Sequence, residues 1–305
     1  MPHETFHSPP HALCPHCGMV LQLGPLPWAY FEGELPPCPK CSVGIDLHEV
    51  VLAALVTPGF DFLALAALGA QATHLLFTLE PEQAVIVRFV EHEIPADARI
   101  IGVNYTPQGK PEAMLFPLEI HGNRPARYME PNERHLFPMP FGKGPSKPTL
   151  VGMSITWVPN PKAEGVSWDL LVEAFHRFQV GHLASAVIAA NTAVEILSGR
   201  VLSARVRTIA NEEKTRSLIR NAGTSGHRIN ILFPLLARSK GLPWLRKNIH
   251  ARLCRLNFMR NKVAHEGASE NLARTEVAEG LAAALFAIRY LQLVESKLMD
   301  DPSQK

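Results

Sequence analysis

Twenty-three of the chain's 26 prolines lie within residues 1–161, and only Pro234, Pro243 and Pro302 follow. Proline has no backbone N–H and clashes with the preceding helical turn, so it breaks helix interiors. The first half is therefore expected to be turn-rich with short strands, and the second half is free to be helical. With 305 residues, 47% of them hydrophobic, the chain has material for two or three domains with buried cores.

Charge divides at the same place. Residues 1–161 carry 9 Lys/Arg and 15 Asp/Glu, a net of −6, whereas residues 162–305 carry 21 and 13, a net of +8. Between 200 and 262 there are 15 basic residues and only two acidic ones, Glu212 and Glu213. A block this poor in acidic residues suggests a polyanionic partner such as nucleic acid, although a solvated helix surface also accounts for many charge runs. The beginning Met1-Pro2-His3-Glu4 lacks the charged and apolar regions of a signal peptide. The most apolar stretch, Phe62 to Thr73, is too short to span a bilayer. A cytoplasmic protein with no membrane partner is expected.

Four of the five cysteines form two units of one pattern, Cys14-Pro15-His16-Cys17-Gly18 and Cys38-Pro39-Lys40-Cys41-Ser42. In a reducing compartment, paired C-x-x-C units indicate metal rather than disulfides. Each unit can turn both thiolates inward, and four thiolates make the closed tetrahedral sulfur site that structural Zn2+ favours. Cys14, Cys17, Cys38 and Cys41 are thus the expected ligands of a zinc ribbon over residues 1–48. Four protein ligands leave no open position, so no catalytic metal is expected. Between the two units, Met19 to Leu23 and Trp28 to Glu32 are expected to pair as strands. His3, His7, His11 and His16 are read as exposed, and Cys254, alone in a helical pattern, as a small core residue.

Residues 49–160 read as a mixed, mainly β domain. An Ala/Leu-rich opening over 50–73 suggests one or two short helices. Strands are expected at His74 to Leu79, Gln83 to Val90, Arg99 to Tyr105, Ala113 to Ile120 and Leu150 to Trp157. Turn residues separate them, a spacing that suits a small antiparallel sandwich. Residues 122–148, rich in Pro, Gly and Arg, read as a long loop. Glu91, His92 and Glu93 adjoin, but a strand would send His92 to the opposite face from its neighbours.

Residues 161–305 read as an antiparallel helical bundle. Ser167 is an expected N-cap. Leu171, Phe175 and Phe178 form one stripe, and Leu183, Val187, Ala190, Val194, Leu197 and Val201 a second with helical spacing. Residues 207–228 read as an exposed basic insertion, and Ile229 to Leu236 as a short helix stopping at Gly241. Pro243 would open the next helix, which continues through Leu245, Ile249, Leu253, Leu256 and Val263. Val277, Leu281, Leu285, Ile288, Leu291, Val294 and Leu298 line one face of the last.

Before that last helix stands Phe258-Met259-Arg260-Asn261-Lys262-Val263-Ala264-His265-Glu266-Gly267. An Arg, a polar residue, and a His five positions after the Arg, near the end of a long bundle helix, resemble the HEPN superfamily. The Phe175/Phe178/Gly181 region and the Ala-rich helix 184–197 are similar to that family's opening hairpin, and the resemblance covers about 166–298. It implies a metal-independent endoribonuclease that works as a homodimer. Arg260 would hold the scissile phosphate, His265 would transfer protons, and Asn261 would orient one of the other two. The RNA 2′-OH would be the nucleophile, leaving a cyclic phosphate. Glu195 is a candidate for orienting Arg260, and Arg246, Lys247, Arg252, Arg255 and Lys262 are candidate RNA contacts. Structural roles stand beside these: His265 can complement a helix C-terminus, and Arg260 can pair with Glu266 or Glu195.

The fold expected overall is a multidomain α+β chain of zinc ribbon, small antiparallel β domain and HEPN-like bundle. The resemblance also brings a role as a toxin or antiphage defence effector, with a protein partner or antitoxin. The alternative is a non-catalytic RNA-binding or dimerisation module. A third function, a DNA-binding regulator acting through the ribbon, would need positive charge in the N-terminal half, which is net acidic.

Overall fold

The computed structural model describes residues 4–8, 11–22, 27–56, 70–80, 85–107, 113–117, 133–140, 148–159, 165–207, 210–221, 225–266 and 272–299. They form mixed helix and sheet in two compact units. The first takes in residues 1–10 and 69–161, and the second residues 11–68 and 162–305. The three consecutive segments expected from the sequence are thus regrouped. The first residues join the β unit, and the cysteine segment joins the helices.

In the β unit, β4 (Gln71–Leu79) and β9 (Thr149–Val158) pair antiparallel at the centre of a four-stranded sheet. β1 (Glu4–Ser8) lies outside β4, and β6 (Arg99–Pro107) outside β9. Alternation explains the pairing: Thr73, Leu75, Phe77 and Leu79 of β4 are buried, as are Val151, Met153, Ile155 and Trp157 of β9. The register matches Phe77 with Val151 and Leu75 with Met153, so one face of both strands enters one core. The indole N–H of Trp157 donates to Thr73 Oγ1 at 3.0 Å, satisfying a polar atom at this buried face. The domain assignment to residues 49–160 omitted β1, whose register with β4 runs from Glu4 opposite Leu76 to Ser8 opposite Ala72.

A second antiparallel sheet has the order β5 (Val85–Arg88), β8 (Glu133–Pro140), β7 (Ala113–Pro117). Val87 of β5 shares the core of the first sheet. β8 corrects the expectation of an unbroken loop over 122–148; residues 122–132 and 141–147 are outside the described residues. After β5 the chain turns into a 3₁₀ segment, Phe89–His92, rather than continuing as strand to Val90. This buries His92, whose Nδ1 lies 3.3 Å from Thr5 Oγ1 on β1. The Glu91-His92-Glu93 run therefore sits at a turn that closes the core.

Four long helices build the second unit: α3 (Val166–Gln179), α4 (Leu183–Val206), α7 (Lys247–Glu266) and α8 (Arg274–Met299). Two shorter ones, α5 (Glu212–Asn221) and α6 (Phe233–Ser239), lie between α4 and α7. α6 continues from a π-helical turn, Arg228–Leu232. The N-cap of α3 is Gly165 at φ +98, not Ser167, which is buried in the first turn. Gly181, at φ +83, makes the reversal between α3 and α4, where the His182 N–H reaches back to the Arg177 carbonyl at 2.8 Å. α3 runs antiparallel to α8, as two cation–π contacts record. The Arg274 guanidinium lies 4.1 Å from the Phe178 ring centroid, and that of Arg289 lies 3.8 Å from Trp168.

α7 also opposes α8. Arg255 pairs with Glu276 at one end, and Tyr290 donates its hydroxyl to the Pro243 carbonyl at 2.6 Å at the other. Pro243 therefore precedes α7 by four residues and anchors the approach to it, rather than occupying its first turn. The expected insertion over 207–228 contains α5, where the Asn211 side chain accepts the Lys214 N–H at 2.9 Å and Thr215 is buried. α4 and residues Arg274–Lys297 are long and apolar enough to cross a membrane, and most of each apolar window is buried within this unit.

The expected stripe on α8 is only half of what it buries. Besides Val277, Leu281, Leu285, Ile288, Leu291 and Val294, the opposite side buries Phe286 and Tyr290. Two elements from the cysteine segment cover that side: α1 (Trp28–Glu32) and α2 (Leu47–Val56). Trp28 to Glu32, expected as a strand, is helical because Tyr30 and Phe31 both turn onto α8. Tyr30 meets Phe286 with ring centroids 5.4 Å apart, and Phe31 meets Tyr290 at 5.3 Å. The strand pair that does form is β2 (His11–Leu13) with β3 (Val20–Gln22).

Close packing of α7 on α8 supplies a test. A Cβ placed on Gly280 would lie 3.0 Å from Leu256 Cδ1 and 3.3 Å from Met259 Cε. Gly280→Val is expected to overpack this contact and cost about 1–3 kcal/mol, read as a lowered midpoint in thermal denaturation.

Candidate metal centre and basic helix

The two C-x-x-C units fold into matching turns. In the first, the Gly18 N–H donates to the Cys14 carbonyl and the Cys14 N–H to the Met19 carbonyl; Ser42, Cys38 and Val43 repeat the pattern in the second. Gly18 at φ +67 and Ser42 at φ +57 occupy the left-handed region that lets each turn close so tightly. All four sulfurs lie within 4.8 Å of one another. Cys14 Sγ is 3.8 Å from Cys41 Sγ, and Cys17 Sγ is 3.6 Å from Cys38 Sγ. A tetrahedron with metal–sulfur bonds of about 2.3 Å has edges of about 3.8 Å, so the quartet fits a thiolate-bound ion such as Zn2+. Backbone N–H groups of Cys41 and Lys40, working against burial, bring the Cys38 thiol down to about 6. Cys17, in the same quartet, is pushed up to about 12, so the thiolate, the form in which a cysteine binds metal, is favoured at Cys38 and not at Cys17.

The cysteine turns are part of the helical unit's core. Cys14 and Cys38 are buried with Leu21, Ile45 and Val50; Ile45 leads onto α2, and Val50 belongs to it. Where α2 begins, the Asp46 carboxylate gathers three donors. Oδ1 accepts the Tyr30 hydroxyl at 2.6 Å and the His48 N–H at 3.1 Å, and Oδ2 accepts Arg246 Nη1 at 3.0 Å. The Arg246 guanidinium also lies 5.1 Å from the Tyr30 ring centroid. Burial, reinforced by the Asp46 carboxylate, pushes the Tyr30 hydroxyl well above its ordinary pKa, so it remains a donor.

One turn on, Arg252 pairs with Glu49 and approaches His48 Nδ1 at 3.0 Å. His48 is wholly buried, packed edge-on against Phe286 with centroids 5.2 Å apart. Burial pushes the imidazole below its ordinary pKa, and the Arg252 charge adds to this. Burial opposes ionisation of Glu49, yet the bond from Arg252 holds its carboxyl below the usual range.

At the far end of α7 lie the residues singled out by the HEPN resemblance. Arg260 is half-buried; its Nη1 donates to Asn261 Oδ1 at 3.2 Å, and its Nη2 lies 3.9 Å from Glu195 Oε2 on α4. The other Glu195 oxygen accepts Asn191 Nδ2 at 2.9 Å, and Asn191 is buried. The structure thus brings Asn191, Glu195, Arg260 and Asn261 into one polar chain. His265 is exposed in the last turn of α7. The side chain of Glu266 is outside the described residues.

The five candidate RNA contacts divide. Arg246 pairs with Asp46 and Arg252 with Glu49. Lys247, Arg255 and Lys262 face outward. Cys254 is half-buried rather than a core residue, with Sγ 3.1 Å from Asn230 Oδ1 and 3.7 Å from His250 Nε2. Burial pushes this thiol up and that imidazole down, so the pair is neutral. His16 is exposed as expected; His3 and the side chains of His7 and His11 are outside the described residues.

Sequence reasoning missed Tyr30, Asp46, His48, Glu49 and Asn191. Only Asn191 had a local signal, lying four residues before Glu195 on the same helix face. No family model, no curated protein and no solved structure matches the chain.

His48 makes stability depend on pH with a definite sign. A folded-state pKa below 6.5 means the unfolded chain binds more protons once the pH falls beneath that value, so acid favours unfolding. Stability is expected to fall as pH drops below about 6.5, by up to ~1.4 kcal/mol per unit from this group. Thermal denaturation at several pH values, with metal content checked at each, reads the slope. His48→Gln is expected to flatten it, whatever it does to the midpoint at neutral pH.

Proposed function

We propose that this chain is a metal-independent endoribonuclease of the HEPN type, cleaving RNA with Arg260 and His265. Its cysteine site would hold a structural Zn2+ in a zinc ribbon, and the finer fold reading is a small β-sandwich joined to a HEPN-like bundle. The observation that carries the reading is the Arg260 guanidinium, part-exposed at the end of α7 and oriented by Asn261 and by a carboxylate that Asn191 holds in turn. A fixed guanidinium suits the non-bridging oxygens of a phosphodiester, whose charge grows in the transition state.

In the proposed reaction the 2′-oxygen gives up its proton and attacks the adjacent phosphorus. The bond to the 5′-oxygen breaks, leaving a 2′,3′-cyclic phosphate and a 5′-hydroxyl that takes up a proton. Arg260 offsets the charge on the phosphorane. An imidazole can both take and give a proton, and His265 would serve in either transfer. Asn261 and Glu195 hold Arg260 in place. The resemblance pairs two such sites across a homodimer. Ile188 and Ile196, both exposed on α4, offer apolar surface for a second copy. A cytoplasmic toxin or antiphage effector restrained by a protein antitoxin is the biological setting that goes with this chemistry. A non-catalytic RNA-binding module is favoured by one observation: Arg260 already donates to Asn261 and lies at ion-pair distance from Glu195, which gives it a structural role without a substrate.

Cleavage of total RNA in excess chelator separates the two functions. Wild type is expected to cut, leaving cyclic-phosphate ends, and Arg260→Ala and His265→Ala are expected to lose about 100-fold or more while remaining folded. RNA binding without cutting, under every activator tried, leaves the non-catalytic module. The metal assignment has its own measurement. Purified chain is expected to carry one Zn2+ per molecule, and Cys38→Ser to lose it together with the docking of α2. A metal-free, fully folded wild type would remove zinc from the proposal.

A further inference from the structure

The outward face of α7 carries Lys247, Ala251, Arg255, Phe258, Lys262 and His265, all exposed and spaced by 4, 4, 3, 4 and 3 residues. This is one straight stripe on the helix, about 27 Å long at 1.5 Å per residue. Phe258 stands in it with 49% of its surface exposed. Packing does not account for a phenylalanine there, since the core side of α7 is filled by Ile249, Leu253, Leu256 and Met259. Two cations lie near the ring: the Arg255 guanidinium is 5.0 Å from its centroid, and the Lys262 ammonium is 5.8 Å away.

We infer that this stripe is a track for single-stranded RNA, on which a nucleobase stacks against Phe258 while Arg255, Lys262 and Lys247 hold the flanking phosphates. The inference rests on the ribonuclease reading only for the role of the track, which is to lead the strand to His265 at its end. An aromatic ring beside cations on an open surface is the combination that sequence-tolerant single-strand binding uses. A duplex is excluded as the occupant because its bases are stacked on one another and cannot reach the ring. A second copy of the chain fits poorly, since a symmetric contact through this stripe would set the cations of one copy against those of the other. The Arg255–Glu276 pair does not block the site: both side chains are exposed, and a solvent-screened pair gives way readily to a phosphate.

The test uses the full chain carrying His265→Ala, so that bound RNA is not consumed. Fluorescence anisotropy measures binding of labelled oligoadenylate, of oligouridylate and of a duplex of equal length, over a range of salt. Phe258→Ala is expected to weaken binding to the single strands about 5- to 150-fold without changing the salt slope. Phe258→Tyr and Phe258→Trp are expected to keep the affinity, and Phe258→Leu, apolar but with no ring, to lose it. Lys247→Gln and Lys262→Gln are each expected to lower the salt slope by about 0.7. Equal affinity for Phe258→Leu and Phe258, an indifferent Phe258→Ala, or tighter binding of the duplex overturns the inference. So does a Phe258→Ala chain that changes only its sedimentation mass, because the ring then belongs to a contact between copies. The two proposals fail separately. A wild type that binds through Phe258 but never cuts sinks the ribonuclease alone, and one that cuts with Phe258 dispensable sinks the track alone.

Discussion

The helical unit is organised around the Asp46 carboxylate. It stands where the cysteine turns end and α2 begins, and it accepts from Tyr30, from the His48 backbone and from Arg246. Tyr30 is fully buried, and its hydroxyl could not be so without an acceptor. With the acceptor present, α1 can lay Tyr30 and Phe31 against Phe286 and Tyr290. α8 then becomes a helix buried on both sides. The four cysteines serve this arrangement. Their turns bring α1 and α2 together from a segment too short and too rich in proline to form a core alone.

Clamping α2 onto the start of α7 sorts the positive charge of that helix. Arg246 and Arg252 neutralise Asp46 and Glu49 at its beginning, on the side that faces α2. Arg260 neutralises Glu195 near its end, on the side that faces α4. The remaining cations point to solvent around Phe258. One helix thus carries a structural set of arginines and an outward set, and a count of charge along the sequence merges the two. The basic block between 200 and 262 overstates the surface available to a polyanion, since part of its charge is answered from another segment.

Much of the secondary structure was legible because its causes are local. Alternation in 71–79 and 149–158 and helical spacing in 183–201 follow from which side of an element faces apolar neighbours. β8 was hidden by its own prolines. Pro138 and Pro140 argue against a strand flanked on both sides. Among the described residues, β5 pairs with Glu133 to Leu136, and Pro138 and Pro140 lie opposite Leu115 and Ala113 of β7. Trp28 to Glu32 was misread for a different reason. Five residues are too few to show a period, and their helical form comes from aromatic partners on α8, more than 250 positions away.

The sequence by itself determined the cysteine turns, the stripes of the four long helices and the division between a proline-rich half and a helical one. Each depends on residues within a few positions of one another. The tertiary structure alone decided that the cysteine segment belongs to the helices and β1 to the sheets, and which cations remain outside. Those outcomes depend on partners distant in sequence: Asp46 and Arg246 are separated by 200 positions. Nothing local to Arg246 or Arg252 distinguishes them from Arg255 or Lys262. The difference arises only when an acidic helix start is folded against one side of α7 and water is left against the other.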